Sequence, residues 1–281
     1  MYLDLGIPDY GYGHPVSEAF GVTRVFQSGW KLLTEQPVLA LLAGFNLLLL
    51  SLLQIVFNIF ISTIQIAALG YTQTINPELA DAMGSVTDLI TTPFFLLLNL
   101  LAYAGAYISF AHYIRNDGIS YATLYTSIGP AFRALFMGLL QSVIALLVLC
   151  LFMIPGVICL CIDPIFGSIV LVLGILMAFI PLIYIGLGFQ LSVHALVLDN
   201  VGILEAMRLS WRAASGARLH LFLLALCFGT LYLLAYCLCF FPTMFVAAIH
   251  MAGMTAGWMA YSRSVEETST YRFFRNHIER E

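Results

Sequence analysis

Four of the six cysteines in this 281-residue chain form two C-x-C pairs, Cys159/Cys161 and Cys237/Cys239, each inside a CLCxxP string. Two thiol pairs near a carboxylate, here Asp163, are a donor set for a soft metal such as Cu(I) or Zn(II), or for disulfides in an oxidising compartment. Two facts weigh against that chemistry. C-x-C inside a helix points its sulfurs to different faces, and cysteine also packs well as a small apolar residue. The pairs are a candidate thiol site, set beside the expectation of no bound metal and no cofactor.

The next polar groups lie inside long apolar runs. His194 follows Gln190 by four residues, which predicts a shared helical face, and His250 stands alone in the last run. Intramembrane ionisable groups are functional candidates, yet neutral His and Gln also join helix to helix by hydrogen bonds. Asn46, Gln54, Asn58, Asn99 and Gln141 pose the same choice between lining a polar cavity and binding helices together. The candidate cavity-lining set is Asn58, Asn99, Gln141, Gln190, His194 and His250. No apolar run has a central Asp, Glu, Lys or Arg, which argues against an ion-coupled transporter. Nucleophile elbows, P-loops, HExxH motifs and Rossmann glycines are missing, so no catalytic residue is assigned and no enzyme is expected.

A third group combines basic and aromatic residues: Arg24, Trp30 and Lys31, then Arg208, Trp211, Arg212 and Arg218. Trp and Arg or Lys on an amphipathic helix suit the headgroup layer of a membrane, with the stems along the apolar boundary and the charges on lipid phosphates. The same residues would also serve only to fix topology.

The rest of the chain is built to hold such groups in a bilayer. It is 61% hydrophobic and 9% charged, with mean hydropathy +0.96, whereas soluble domains carry about 25% charged residues. Apolar runs of about 20 residues, each able to cross a ~30 Å hydrocarbon core, predict an all-α integral membrane protein. The runs do not alternate in polarity as barrel strands would. Spans are expected at Val38–Ile61, Thr91–Tyr113, Ala131–Met153 (broken by Ile154-Pro155-Gly156), within Val157–Leu198, Leu219–Phe240 and Met244–Tyr261. Residues 62–90 read as a long polar connection in which PELADAMGSV forms a short helix. Thr270–Arg280 reads as a surface-lying tail helix.

Val157–Leu198 could be crossed once or twice, and charge decides. All 11 basic residues sit in four places: Arg24 and Lys31; Arg115 and Arg133; Arg208, Arg212 and Arg218; and Arg263, Arg272, Arg275 and Arg280. A single crossing puts all four on one face, as the positive-inside rule requires, giving six spans with both termini cytoplasmic. Trp30, Trp211 and Trp258 all map to the same interface. The acidic start MYLDLGIPDYGYGHPVSEAF lacks the basic beginning of a signal peptide, so the first span is expected to remain in the mature protein. Net charge −4 gives no reason to expect nucleic acid.

The chain also repeats. Gly21-Val22 and Trp30-Lys31 recur as Gly202-Ile203 and Trp211-Arg212, 181 positions later without a gap, and Gly118-Ile119-Ser120-Tyr121-Ala122 matches Gly202–Ala206 in three of five places. The predicted architecture is three parallel hairpins, each preceded by a cytoplasmic interfacial amphipathic helix. The expected boundaries are an N-terminal tail at 1–16, one membrane domain at 17–262 (repeat units near 17–113, 118–198 and 199–262), and a cytoplasmic tail at 263–281. In the last span, Gly253 and Gly257 form a GxxxG on a face with Ala248, Ala252, Ala256 and Ala260. Such a face packs internally or joins two copies in a homo-oligomer.

Ile154-Pro155-Gly156, a long apolar helix, and HALVLDNVGILEAMRLSWRAASGARLHLFLL from His194 to Leu224 resemble a recurrent bacterial pattern. In it a "PG", an apolar helix and a short Gly-bearing turn precede "EA-x-R-x-SW". The pattern is that of the membrane domain of glycerophosphodiester phosphodiesterases and their stand-alone six-helix inner-membrane relatives. The resemblance covers about residues 150–225 and is architectural elsewhere; the "PG" here lies farther from the basic helix than in the pattern. It implies a bacterial inner membrane and a role connected with lipids or the envelope. No phosphodiesterase chemistry transfers, because that belongs to a separate soluble catalytic domain.

These readings together favour a non-enzymatic protein that organises or handles lipids or other apolar envelope components, with membrane lipids as partners and protein partners unknown. A small permease or channel-like transporter and an intramembrane thiol or metal enzyme are the alternatives.

Overall fold

The computed structural model describes the backbone of residues 19–72, 77–115, 128–238 and 241–278, and the side chains of 19–63, 94–115, 128–238 and 241–262. The tail 1–16, the stretch 118–127, Cys239 and the side chains of Arg263, Arg272, Arg275 and Arg280 lie outside them. Among the described residues every regular element is a helix. Six helices are long and apolar enough to cross a membrane: Pro37–Thr63, Phe94–Arg115, Ile128–Leu160, Pro164–Leu198, Arg218–Cys237 and Thr243–Ser262. With more than half of the chain hydrophobic, they make it a multi-pass membrane protein.

Helix α1 (Val22–Glu35) buries Val25, Leu32 and Leu33 and exposes Gln27, Trp30 and Thr34. Its apolar stripe faces the protein and its polar side faces outward. Pro37 opens α2 (Pro37–Thr72), and Pro77 opens α3 (Pro77–Arg115); proline at a first helical position gives up an N–H that has no helical partner anyway. Helices α2 and α3 leave only residues 73–76 between them. The long polar connection expected at 62–90 is thus mostly helix, since Ile, Gln, Ala, Leu and Glu in these segments are adequate helix formers.

Helix α4 (Ile128–Leu160) runs through Pro155 instead of breaking there. Its partner α5 (Pro164–Phe189) starts at the Asp163 cap, whose Oδ1 accepts from the Ile165 and Phe166 amides at 2.8 and 3.1 Å. Three glycines set the antiparallel register of this hairpin. A Cβ on Gly156 would lie 2.5 Å from the Leu171 Cα, one on Gly167 2.3 Å from the Leu160 amide nitrogen, and one on Gly174 2.4 Å from the Phe152 carbonyl oxygen. The "PG" is therefore a backbone-to-backbone contact rather than a stop. Outward-facing Leu147, Leu151, Ile165 and Ile180 cover much of the hairpin surface, as lipid contact demands.

After α5 the chain is interrupted at Gln190-Leu191. It resumes as α6 (Ser192–Leu198), turns through Asn200 at φ 52°, and forms α7 (Ile203–Ser215). Val157–Leu198 thus contains one crossing helix, with residues 157–160 belonging to α4. Helix α8 (Arg218–Cys237) and helix α9 (Thr243–Ile278) complete the chain. The tail helix is continuous with the last span, because neither Gly nor Pro occurs between Trp258 and Ile278 to end it.

Contacts divide the protein into two units. The first contains Phe26–Phe132 and Phe228–Gly253, where α2 packs on α3 through Phe57 and Phe95, ring centroids 5.4 Å apart. The second contains Arg133–Cys227 and the chain from Met254, where α7 packs against α5 and α6.

Candidate functional site

The second unit gathers most of the basic and aromatic candidates around the interruption of α5 and α6. A broken helix frees backbone groups that hydrocarbon cannot satisfy. Ser210 of α7 deals with two of them: its Oγ donates to the Gly188 carbonyl at 2.8 Å and accepts from the Leu191 amide at 3.2 Å. Ser192 Oγ donates to the Phe189 carbonyl at 2.6 Å and accepts from Gln141 Nε2 at 2.8 Å. Trp211, next to Ser210, lays its ring on Gly188, where a Cβ would meet it at 2.4 Å. The adjacent Ser and Trp of the basic helix thus hold one helix break, the first by hydrogen bonds and the second by packing.

Trp211 also packs against Phe189 and Tyr184, with centroids at 5.5 and 5.7 Å. The Arg218 guanidinium lies 3.7 Å above the Tyr184 ring and 5.0 Å from that of Trp211, and it donates to the Tyr184 hydroxyl. This is a cation–π clamp. Arg208 pairs with Glu205 at 3.9 Å in the open. Arg212 is exposed and has no ion-pair partner among the described residues. On the same two helices Leu204 of α7 and Leu219 of α8 are 73% and 67% exposed. Arg133 Nη2 donates to Asn200 Oδ1 at 2.6 Å, holding the turn before α7.

Trp258 departs from the expected interface. It is 1% exposed, and its Nε1 donates to Asp199 Oδ2 at 3.1 Å. Asp199 follows α6 directly and is brought to α9 by the fold, so this tryptophan is a core strut. Trp30, 52% exposed, stacks on Phe26 with centroids at 6.5 Å, and Lys31 pairs with Glu35 at 3.8 Å. Arg24 is half-buried and has an interaction of its own.

The uncharged polar candidates are divided between the two units. Asn58 is exposed on its span, and Asn99 Nδ2 donates back to the Phe95 carbonyl at 2.9 Å. Gln190 sits in the interruption, so it and His194 do not share one unbroken helix. The Gln190 Oε1 is buried with no hydrogen-bond partner among the described residues, while His194 is buried within α6. His250, in the first unit, stacks on Phe228 with centroids at 4.4 Å.

Cys159, Cys161 and Cys237 are free thiols, Cys161 and Cys237 exposed; Asp163 is engaged as a helix cap. Among the described residues no group of three or more His, Cys, Asp and Glu could hold a metal ion. Gly257 packs on the Ala19 carbonyl and the Phe20 ring, at 3.1 and 3.3 Å from a built Cβ, and Ala248, Ala252 and Ala256 are buried. The small-residue face is thus occupied within the chain.

Two polar pairs escaped the sequence analysis altogether. In the first unit Tyr103 and Tyr107 of α3 lie ring to ring at 6.1 Å. His250 lies 6.1 Å from Tyr232, ring to ring. The available signal was tyrosine at i and i+4 in two separate spans, a shared helical face in each.

The fold and these placements define a multi-pass α-helical membrane protein with a hydrogen-bonded helix interruption among the described residues. No family model matches the chain, and no curated protein and no solved structure matches it either.

Proposed function

We propose that this is a non-enzymatic protein of the bacterial inner membrane, with both termini cytoplasmic, that organises or handles lipids or other apolar envelope components. In this reading α1 and α7 are cytoplasmic interfacial helices, each leading a hairpin of a threefold parallel repeat, and the chain is a relative of the membrane domain of glycerophosphodiester phosphodiesterases. The observation that carries it is Arg212: an exposed guanidinium without an ion-pair partner among the described residues, on a helix that also exposes Leu204 about two turns earlier. An open cation on a helix that also exposes apolar side chains matches a lipid with an anionic headgroup, phosphate on the arginine and acyl chain along the apolar residues.

The test is native mass spectrometry of the gently purified protein, with lipid analysis of the same sample. Arg208→Ala/Arg212→Ala is expected to reduce co-purifying anionic lipid while the protein still inserts. Unchanged lipid in a correctly inserted variant refutes the reading and leaves the arginines as topology signals.

A small permease is the second reading, favoured by the buried, unpartnered Gln190 oxygen at the helix interruption. It requires solute flux in proteoliposomes that Gln190→Leu abolishes.

A further inference from the structure

Helix α4 is joined to the chain that follows it in two different ways. Toward the Asp163 turn, Gly156, Gly167 and Gly174 bring backbone onto backbone, against Leu171, Leu160 and Phe152. At the other end the joins are tips of long side chains. Gln141 Nε2 reaches Ser192 Oγ at 2.8 Å, and Arg133 Nη2 reaches Asn200 Oδ1 at 2.6 Å. The residue count changes too. From Phe152 to Gln141 α4 advances 11 positions, about 16 Å at 1.5 Å per residue, while from Gly174 to Ser192 the facing chain advances 18, about 27 Å. The close register of the glycines is lost between Gly174 and Ser192, and the long side chains span the difference.

That stretch carries a built-in bend. Pro181 stands inside α5, where it cannot donate to the Met177 carbonyl and its ring crowds that oxygen. Beyond it, the chain is gripped by α7 and the start of α8. Ser210 bridges the Gly188 carbonyl and the Leu191 amide, and the Trp211 ring packs on Phe189 and Tyr184. The Arg218 guanidinium lies 3.7 Å above the Tyr184 ring, and α6 packs on α7. On the α5 face shared by Ala178, Leu182, Ile185 and Phe189, Ala178 is buried and the other three are half-buried. Burial on this face falls off past Pro181, and loosely packed segments are the ones that move.

We propose that α5 beyond Pro181, together with α6 and α7, is one hinged body that swings against α4. Pro181 is the hinge. Ser210 and Trp211 lock the Gln190-Leu191 interruption, so the two pieces of the broken helix and α7 move together. The Gln141–Ser192 and Arg133–Asn200 hydrogen bonds are latches that hold the body closed, while the glycine-packed end of the hairpin stays fixed. Releasing the latches parts α4 from the far half of α5 and opens the seam between them to the surrounding hydrocarbon, a hinge closure of the kind that guards binding sites. The polar helix α7 is the handle: a force on it is passed to a spanning helix. This holds whether or not α7 binds a lipid.

The experiment is pulsed electron–electron distance measurement on the full-length protein in lipid nanodiscs, with spin labels at exposed positions. Leu151 and Val172 report the glycine-packed end, Leu139 and Ile183 the far end, and Ile183 and Leu204 the body itself. The labels are carried by a bio-orthogonal keto amino acid, which leaves the native cysteines in place. The far-end pair should give a broader distance distribution than the other two. Gln141→Leu/Asn200→Gly removes both latches, keeps the charge of Arg133 and leaves Asn200's left-handed backbone (φ 52°) to a residue that adopts it freely. It should shift the far-end pair to longer distance and leave the other two unchanged. If that variant does not fold, Gln141→Leu alone is read in the same way. Pro181→Ala should narrow the far-end distribution. The proposal is overturned if the far-end pair is as narrow as the glycine-packed pair and does not respond to latch removal. It is also overturned if the Ile183–Leu204 distance broadens with the far-end pair, because the body would then not move as one piece.

Discussion

Ser210 Oγ donates to the Gly188 carbonyl at 2.8 Å and accepts from the Leu191 amide at 3.2 Å, so one hydroxyl of a polar helix bridges the interruption of a spanning helix. The Trp211 ring lies on the same Gly188. Helix α7 is therefore tied to the break by two consecutive residues with different physical roles.

Ser210→Ala removes both hydrogen bonds and leaves two backbone groups unsatisfied in a buried place. The expected loss is about 1–3 kcal/mol, read as a lower midpoint of thermal unfolding in detergent. An unchanged midpoint would show that the break needs no such bridge.

Gly188→Ala places a methyl where the Trp211 ring lies, 2.4 Å from its carbon atoms. Destabilisation of about 1–3 kcal/mol is expected. Combining it with Trp211→Leu should recover part of that loss, because the clash disappears with the ring. The double-mutant cycle should therefore show coupling above about 0.5 kcal/mol. Simple additivity would argue against the contact.

Pro155 and Gly156 should respond differently. Pro155→Ala leaves the helix in place and restores an amide donor within it, so stability should hold or rise. Gly156→Val forces a side chain against the Leu171 backbone and should cost about 1–3 kcal/mol. The reverse order would restore the view that the dipeptide ends the helix.

The three tryptophans should differ in fluorescence. In single-tryptophan variants Trp30, which is 52% exposed, should be quenched by lipids brominated near the headgroup. Trp258, which is 1% exposed and bonded to Asp199, should resist both these lipids and aqueous acrylamide. Equal quenching would contradict the buried position of Trp258.

Cys161 and Cys237 are exposed and, in the proposed topology, lie at the periplasmic ends of their helices. In cells, with the remaining cysteines replaced by serine, a membrane-impermeant maleimide should label both from the periplasm and neither in sealed inside-out vesicles. The opposite pattern reverses the assigned orientation.

Much of this architecture was legible in the sequence because the bilayer requires long, uninterrupted apolar segments. Val38–Ile61 announced a span whose helix opens one residue earlier, at Pro37. The distribution of the 11 basic residues selected one crossing over two for Val157–Leu198, and the structure has one. Less was legible about helix ends. The sequence suggested a stop at Pro155-Gly156 and a polar loop at 62–90. Composition alone does not distinguish a helix breaker from a close helix contact, or a polar loop from a helix that continues.

The candidate site was legible as residue types and opaque as contacts. Arg208, Trp211 and Arg212 could be read from their spacing on one amphipathic helix. That Ser210 serves a helix break, that Arg218 lies over Tyr184 and that Trp258 meets Asp199 could not, since the partners lie 19 to 59 positions apart in sequence. Nor could the contact of Tyr232 with His250, which comes from two separate spans. Hydropathy and charge determine which segments enter the bilayer because each segment meets that requirement on its own. Packing alone determines which polar atoms meet, because a hydrogen bond or ring contact depends on two segments whose positions are set by the glycines and aromatic rings between them.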